Sequence, residues 1–227
     1  MDETTIAALA LADWRRRVAE LWVDWRRDAV LDHATATAVF RSARDALFRD
    51  HPQSPLPPDE RAAFSGLGYW PYDPAWRMTA RLETTDDRPG SAGSRTSDLA
   101  GGGPPRVAAA PSSGPSDAAL QRIGHVALSG PLDGERLPVY WIEGYVGGIF
   151  IPFRDATSGT QTYGAGRYLL DTAKSADHGV DPATGELILD FNLAYHPSCA
   201  YDARWSCPLA PPEARVRAAV QAGERLP

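Results

Sequence analysis

Two stretches near the start of the sequence carry apolar side chains at spacings of three and four, which is the period of one helix face. The first stretch contains Leu11, Trp14, Val18, Leu21 and Trp25. The second contains Ala36, Val39, Phe40, Ala43 and Leu47. Asp32 and His33 interrupt the pattern, and Pro52 disfavours a helical conformation at His51. The pattern therefore predicts two packed helices, the second of which ends near His51.

Two later segments lack any helical or strand pattern. Residues 51–76 are rich in proline, which fixes φ and removes a backbone donor, so an irregular path is expected there. Residues 86–117 are mostly small or polar, with too few large apolar side chains to offset the entropy cost of ordering. We expect 86–117 to be a disordered insertion between two strands. The chain is then one domain over residues 1–227, with a helical part at 1–50 and a β-rich core at 120–225.

Short runs of alternating or continuous apolar residues elsewhere indicate β-strands. The expected strands cover residues 76–84, 122–129, 137–143, 147–153, 162–170 and 186–191. Short turns between them favour an antiparallel meander, and five or six such strands commonly curl into a closed sheet. Pro211 and Gly223 suit the two ends of a short helix. The predicted fold is α+β and mainly β: an antiparallel β-roll or barrel with two N-terminal helices and a short C-terminal helix.

Charge and composition narrow the class of protein and its partners. The formal net charge is −6, with 29 acidic against 23 basic side chains, whereas a nucleic-acid-binding chain usually has a basic surface. No run of apolar residues reaches the length of a membrane span. From the charge and the missing span together, we expect neither nucleic acid nor a membrane as a partner. The acidic start, Met1 to Glu3, differs from a signal peptide, and we expect a cytoplasmic location.

Polar side chains suited to binding are concentrated between residues 153 and 208. Arg154 and Arg167 lie on strands that a turn at Ser158 would pair, and two guanidinium groups on one side can bind a carboxylate or phosphate. The candidate ligand-binding residues are Arg154, Asp155, Tyr163, Arg167, Asp190, Asn192 and Tyr195. The alternative is that both arginines pair with aspartates of the same set as structural ion pairs. A small anionic molecule bound at the mouth of the roll is the favoured function.

The two cysteines of the chain offer a second function. His196, Cys199 and Cys207 could supply three zinc ligands, although their spacing is not that of a standard zinc knuckle. A fourth ligand would come from Asp190, His178 or His51. The other possibilities are two buried thiols or a disulfide formed on oxidation. An enzyme that uses Cys199, or a metal at these residues, is therefore the alternative, and zinc is the one cofactor considered.

Five stretches of the sequence have a specific pattern. They are FRDATSGTQTYGAGRYL, LDFNLAYHPSCAY, CPLAPPEARVRAAVQAGE, HPQSPLPPDERAAF and GLGYWPYDPAWRM. In these stretches the chain resembles the bacterial domain-of-unknown-function family numbered 1684, over roughly residues 40–84 and 120–225. The resemblance implies no particular activity. Members of that family usually have asparagine where this chain has His196, which argues against a mechanism that needs an imidazole there.

Overall fold

The structure, a computed structural model, describes residues 2–84, 108–110, 112–113 and 118–227. Most of the insertion expected at 86–117 therefore lies outside the described residues. Within that span, however, Ala108–Ala110 form a strand and Ser112 bridges to Pro208. The expectation of disorder is wrong for these five residues, because their backbone groups pair with other parts of the chain.

Both predicted helices are confirmed: α1 spans Glu3–Ala29 and α2 spans His33–Asp50. Asp32 accepts hydrogen bonds from the first N–H groups of α2, which stabilises the helix start. His51 is extended, as its position before Pro52 requires.

Ten strands, all paired antiparallel, form three sheets among the described residues. They are β1 (Gly68–Tyr69), β2 (Arg77–Ala80), β3 (Leu82–Thr84), β4 (Ala108–Ala110), β5 (Ala118–Ala127), β6 (Arg136–Ile142), β7 (Gly148–Phe153), β8 (Arg167–Asp171), β9 (Leu187–Asp190) and β10 (Glu224–Arg225). The main sheet has the order β3-β5-β6-β7-β8, and β4 also pairs with β5. The two small sheets are β1 with β10 and β2 with β9.

The α+β class and the antiparallel meander are confirmed, but the main sheet does not close into a barrel. The outer edge of β8 is occupied by an irregular segment: Tyr168 and Tyr195 exchange backbone hydrogen bonds of 2.9 and 3.1 Å. This pairing takes the place that a closing strand would need. The strand expected at 76–84 is also divided, because β2 pairs with β9 whereas β3 pairs with β5.

The C-terminal helix predicted over residues 211–223 is not formed, and we call this span the C-terminal segment. Its backbone pairs with the end of β7 instead: Arg154 N–H donates to the Ala214 carbonyl and Val216 N–H donates to the Arg154 carbonyl. Buried residues alternate with exposed ones along much of it, which is the period of extended chain. The fully buried members are Ala214, Val216, Val220 and Ala222.

The main hydrophobic core lies between one face of the main sheet and the C-terminal segment. Its sheet members include Val126, Leu137, Val139, Ile151, Phe153 and Leu169, all with no exposed surface. A second cluster joins the helices to the body through Trp22, Trp25 and Phe40, which pack with Ala176 and Leu193. Burying an aliphatic or aromatic side chain of this size stabilises a fold by about 1.5–3 kcal/mol.

In the described part of the chain, no helix combines the length and the apolar character needed to cross a bilayer.

Candidate functional site

The register of β7 and β8 decides where the two predicted anion-binding arginines lie. Phe153 is the direct cross-strand partner of Arg167, so these two side chains share a face. Arg154 is the next residue along and belongs to the opposite face, where its Cγ would lie 3.1 Å from a Cβ placed on Gly166. The structure therefore does not bring the two guanidinium groups together into one receptor.

Arg167 is enclosed by the fold, with 1% of its surface exposed. Its guanidinium donates to the carbonyl oxygens of Ala222, Val220 and Glu224 at 2.5, 2.8 and 3.1 Å. Asp155 lies 3.5 Å away as its ion-pair partner. Burial lowers the pKa of Arg167 to about 10, against the opposing effect of nearby carboxylates. Arg167 thus ties the C-terminal segment to the sheet, as the structural ion-pair alternative expects.

Asp155 is likewise occupied within the fold. Its carboxylate accepts the hydroxyl hydrogens of Thr157 and Ser158 and, at 2.7 Å, the N–H of Val220. These contacts form the turn after β7. The strand β8 therefore begins at Arg167, five residues later than the start at residue 162 that the sequence predicts.

Asp190 and Asn192 hold the loop before β2 and lie apart from the Arg167 contacts. Asp190 accepts the backbone and side-chain N–H groups of Asn192, both at 2.9 Å. Asn192 in turn exchanges two hydrogen bonds with the backbone of Asp73. Burial raises the pKa of Asp190, which has no exposed surface.

Tyr195 lies apart from both the Arg167 contacts and the Asp190 contacts. It is next to a buried ion pair that the sequence analysis did not predict. Its ring packs on Tyr168 and lies under the guanidinium of Arg44, 5.2 Å away. Arg44 pairs with Glu224 at 3.0 Å. Burial alone would raise the pKa of Glu224, but Arg44 and His196 hold it below its ordinary value. The seven predicted binding residues are thus distributed over separate structural contacts.

His196 is oriented by two neighbours, and neither is a cysteine. Its Nδ1 lies 3.2 Å from a carboxylate oxygen of Glu224. Its Nε2 accepts a hydrogen bond of 3.2 Å from the backbone N–H of Tyr163. A ring nitrogen that accepts such a bond carries no proton, so the proton of a neutral ring faces Glu224. His196 is therefore not placed to remove a proton from Cys199.

The zinc ligand set predicted from His196, Cys199 and Cys207 does not assemble. Among the residues that the structure describes, no group of three or more histidine, cysteine, aspartate or glutamate side chains is placed to hold a metal ion. The physical reason is the ring orientation of His196, whose two nitrogens are taken by Glu224 and Tyr163.

Cys199 and Cys207 do lie together, and both are free thiols. They differ in access: Cys199 is half-buried, whereas Cys207 is 1% exposed. The two thiols lie close enough to shift each other's pKa, and the Tyr163 hydroxyl lies 4.0 Å from the Cys199 sulfur. The more accessible of the two sulfurs is thus next to a hydroxyl group and a second thiol.

These donors determine which thiol ionises first. Hydrogen bonding from Cys207, and then from Ser113 and Tyr163, lowers the pKa of Cys199 to about 6 against the effect of burial. The same contact with Cys199, together with burial, raises the pKa of Cys207. Lys174 acts on Cys207 in the opposite direction. Cys199 is therefore the member of the pair that ionises first.

Comparison with known proteins bears out the family resemblance. The model of the family described as a protein of unknown function (DUF1684) matches residues 62–225. The solution NMR structure of the uncharacterized protein from gene locus rrnAC0354 of Haloarcula marismortui is 31% identical, with a TM-score of 0.55 over 87% of this chain and 96% of that one. No curated protein matches. Because the family match extends over most of its length, the chain belongs to the DUF1684 family.

Proposed function

We propose that this protein carries out thiol–disulfide exchange, with Cys199 as the attacking thiol and Cys207 as the thiol that completes the reaction. The observation that carries the proposal is that a half-buried and a fully buried free thiol lie close enough to shift each other's pKa. A thiolate is the nucleophile in this chemistry, and the lowered pKa of Cys199 supports its role as attacker. Paired cysteines in cytosolic proteins are commonly catalytic or redox-sensing.

The proposed reaction has two steps. The Cys199 thiolate attacks one sulfur of a substrate disulfide, the disulfide bond breaks, and the other half leaves as a thiolate that takes a proton from water. The Cys207 thiol then loses its proton and attacks Cys199 Sγ, which releases the second half of the substrate as a thiol. The substrate gains two electrons and the protein ends with a Cys199–Cys207 disulfide, which a small thiol in excess reduces by the reverse steps.

The surroundings of Cys199 favour this reaction over acyl transfer. Cysteine hydrolases need a histidine that can exchange a proton with the thiol. The Nε2 of His196 is instead occupied by the N–H of Tyr163. Disulfide exchange needs only a thiolate and a second thiol, and both are present.

Oxidised glutathione, a small disulfide, tests the proposal. Reduced protein is mixed with it, quenched with acid, alkylated and mapped by peptide mass spectrometry. We expect one Cys199–Cys207 disulfide per chain and release of two equivalents of glutathione.

Two single variants provide the matched controls. Cys207→Ser should stop at a mixed disulfide between glutathione and Cys199, whereas Cys199→Ser should react slowly because the remaining thiol is buried. Failure of the wild-type protein to form the internal disulfide, or wild-type reactivity of Cys207 in Cys199→Ser, contradicts the proposal.

Binding of a small anion, the function favoured by the sequence analysis, stays a prediction. Most of the residues predicted to bind the anion make structural contacts within the fold instead. Arg154 is half-buried and lies on the face away from Arg167, so it is the guanidinium that a ligand could reach. A titration with inorganic phosphate, followed by thermal unfolding, checks this. Stabilisation that Arg154→Ala removes would support it, and no stabilisation of the wild-type protein would end it.

A further inference from the structure

A groove of about 480 Å³ lies between α1 and α2, on residues that the proposed exchange reaction does not use. Three of the side chains that face it are alanines: Ala10 on α1, and Ala43 and Ala46 on α2. A methyl group leaves open the space between two packed helices that a larger side chain would fill. Leu21 and Leu47 complete the apolar lining. Binding sites for small molecules are commonly concave, mainly apolar and of about this volume.

Carboxylates stand on both helices along this groove. Of the described residues that line it, four carry a carboxylate and one, Arg17, carries a guanidinium, so the lining has a formal charge of −3 with histidine neutral. Asp13 and Asp24 each pair with an arginine, at 2.8 and 2.9 Å. Glu20 and Asp50 are exposed and have no ion-pair partner among the described residues. Two carboxylates of the groove are therefore available to a cation.

The register of the two helices places these two free carboxylates at different levels of the groove. Two ring contacts set the antiparallel register: Trp22 with Phe40 at 4.6 Å, and Trp14 with Phe48 at 6.1 Å. Glu20 is therefore level with the part of α2 around Ala43. Asp50 lies seven residues further along α2, which is about 10 Å along the helix axis. The apolar lining extends between the two carboxylates.

We propose that this groove binds a linear aliphatic polyamine such as spermidine, with its methylene groups on the alanine and leucine side chains and its terminal ammonium groups at Glu20 and Asp50. The charge of the lining favours a cation. The apolar lining favours a ligand with exposed methylene groups. The separation of the free carboxylates favours a ligand whose charges lie at the two ends of an extended chain.

Isothermal titration of the full-length protein with spermidine tests the proposal. Low ionic strength is used, because screening of exposed charges is then weakest. We expect one saturable site per chain. Glu20→Gln and Asp50→Asn should each weaken binding about threefold to fivefold, and the double variant about tenfold or more. Putrescine, a shorter diamine, should bind more weakly than spermidine because it can reach only one of the two carboxylates.

Two matched variants separate the groove from the general charge of the protein. Ala46→Leu fills the groove without changing any charge and should abolish binding. Ala38→Leu adds the same side chain at an exposed position of α2 outside the groove and should bind like the wild type. Leucine is a strong helix former, so both variants keep α2. If Ala46→Leu fails to fold, the double variant of the exposed Glu20 and Asp50 provides the decisive measurement.

Glu143→Gln is the control for lost charge, since it removes an exposed carboxylate from the turn between β6 and β7. It should leave the affinity for spermidine unchanged. Equal weakening in Glu143→Gln and Glu20→Gln overturns the proposal, because spermidine would then respond only to the net charge of −6. Wild-type affinity in Ala46→Leu overturns it for the same reason.

Three further results would also overturn the proposal. The first is the absence of saturable spermidine binding to the wild-type protein. The second is binding of a lysine-rich peptide, but not of spermidine, to the groove, which would make the occupant a protein partner. The third is a dimer that buries the groove, detected by analytical ultracentrifugation. The reaction of the cysteine pair with oxidised glutathione is measured separately and does not depend on any of these results.

Discussion

Arg44 of the second helix and Glu224 of the last strand, 180 positions apart in the sequence, form an ion pair of 3.0 Å inside the protein. Glu224 has no exposed surface, and Arg44 is also stacked on Phe48. The Glu224 carboxylate is removed from water, the Arg44 side chain is only 12% exposed, and each charge depends on the other. The pair joins the helical part of the chain to the C-terminal end of the β-rich part.

Removing one member of this pair should cost more than removing both. We expect Glu224→Gln to lower the free energy of unfolding by about 3–5 kcal/mol, because it leaves the Arg44 guanidinium buried without its counter-charge. Arg44→Met combined with Glu224→Leu should recover most of that loss, since neither charge of this pair is then left in the interior. Urea unfolding at pH 7 measures both. A double variant less stable than Glu224→Gln contradicts this account.

Arg167 and Arg154 should respond differently to substitution by lysine. Arg167→Lys keeps the charge but loses the planar guanidinium group that donates to the carbonyls of Val220, Ala222 and Glu224. Each buried carbonyl left without a hydrogen bond lowers the free energy of unfolding by about 1–3 kcal/mol. Arg154→Lys, one residue beyond the end of β7, should change stability by less than about 1 kcal/mol. Denaturant unfolding of the two variants compares them directly, and equal losses would show that Arg167 has no special structural role.

Stability should fall as the pH drops below neutral because of His178. Its ring is buried between Trp22 and Trp25, and burial lowers its pKa to about 3. The unfolded chain takes up a proton near pH 6.5 that the folded chain cannot take up until about pH 3. Between these values His178 should therefore destabilise the fold by roughly 1.4 kcal/mol per pH unit, and contribute nothing above neutral pH.

Urea unfolding at pH 7.5, 6.5, 5.5 and 4.5 checks this for wild-type protein and His178→Asn. Asparagine can accept the hydrogen bond that Asp190 N–H gives to His178 but cannot titrate. The stability difference between the two proteins should shrink as the pH falls. A constant difference would mean that His178 takes up its proton with the same pKa in the folded and the unfolded chain.

Two deletions within the insertion should have different effects. The composition of residues 88–106 predicts a disordered loop, and a change of loop length costs only about 0.6 kcal/mol per doubling. Removing these residues should therefore leave the thermal midpoint nearly unchanged. Removing residues 88–115 also removes β4 and the contacts of Ser113 with Trp205 and Cys207. We expect the longer deletion to lower the midpoint by several degrees and to slow the reaction of Cys199. Equal midpoints would show that those contacts contribute nothing.

Local sequence patterns predicted the elements whose partners are close in the chain. The apolar stripes of α1 and α2 and the strands β5 to β7 follow their periods, and the boundaries of these strands and the end of α2 agree within a few residues. The C-terminal segment was misread because Pro211 and Gly223 look like helix ends. The alternation of Ala214, Val216, Val220 and Ala222 with polar residues is present in the sequence and indicates extended chain.

The site was harder to predict because its geometry depends on register and on distant residues. A difference of one position in the β7–β8 pairing decides whether Arg154 and Arg167 share a face, and that pairing contains an irregularity between Ile151 and Pro152. Cys199 and Cys207 were recognised as candidates, but Ser113 lies in a span whose composition suggested no structure. No local pattern connects Glu224 with Arg44 or His196.

The contacts of Arg44 and Arg167 with the C-terminal residues also bear on how the chain folds during synthesis. A ribosome delivers α2 and the whole main sheet before Val220, Ala222 and Glu224 emerge. Until then Arg44 lacks its carboxylate and Arg167 lacks its carbonyls, so two charged groups stand where the interior will form. Contacts this far apart in sequence slow folding. Closure of the core should therefore wait until residue 224 has left the ribosome, and nascent chains stalled before residue 220 should remain sensitive to protease in β7 and β8.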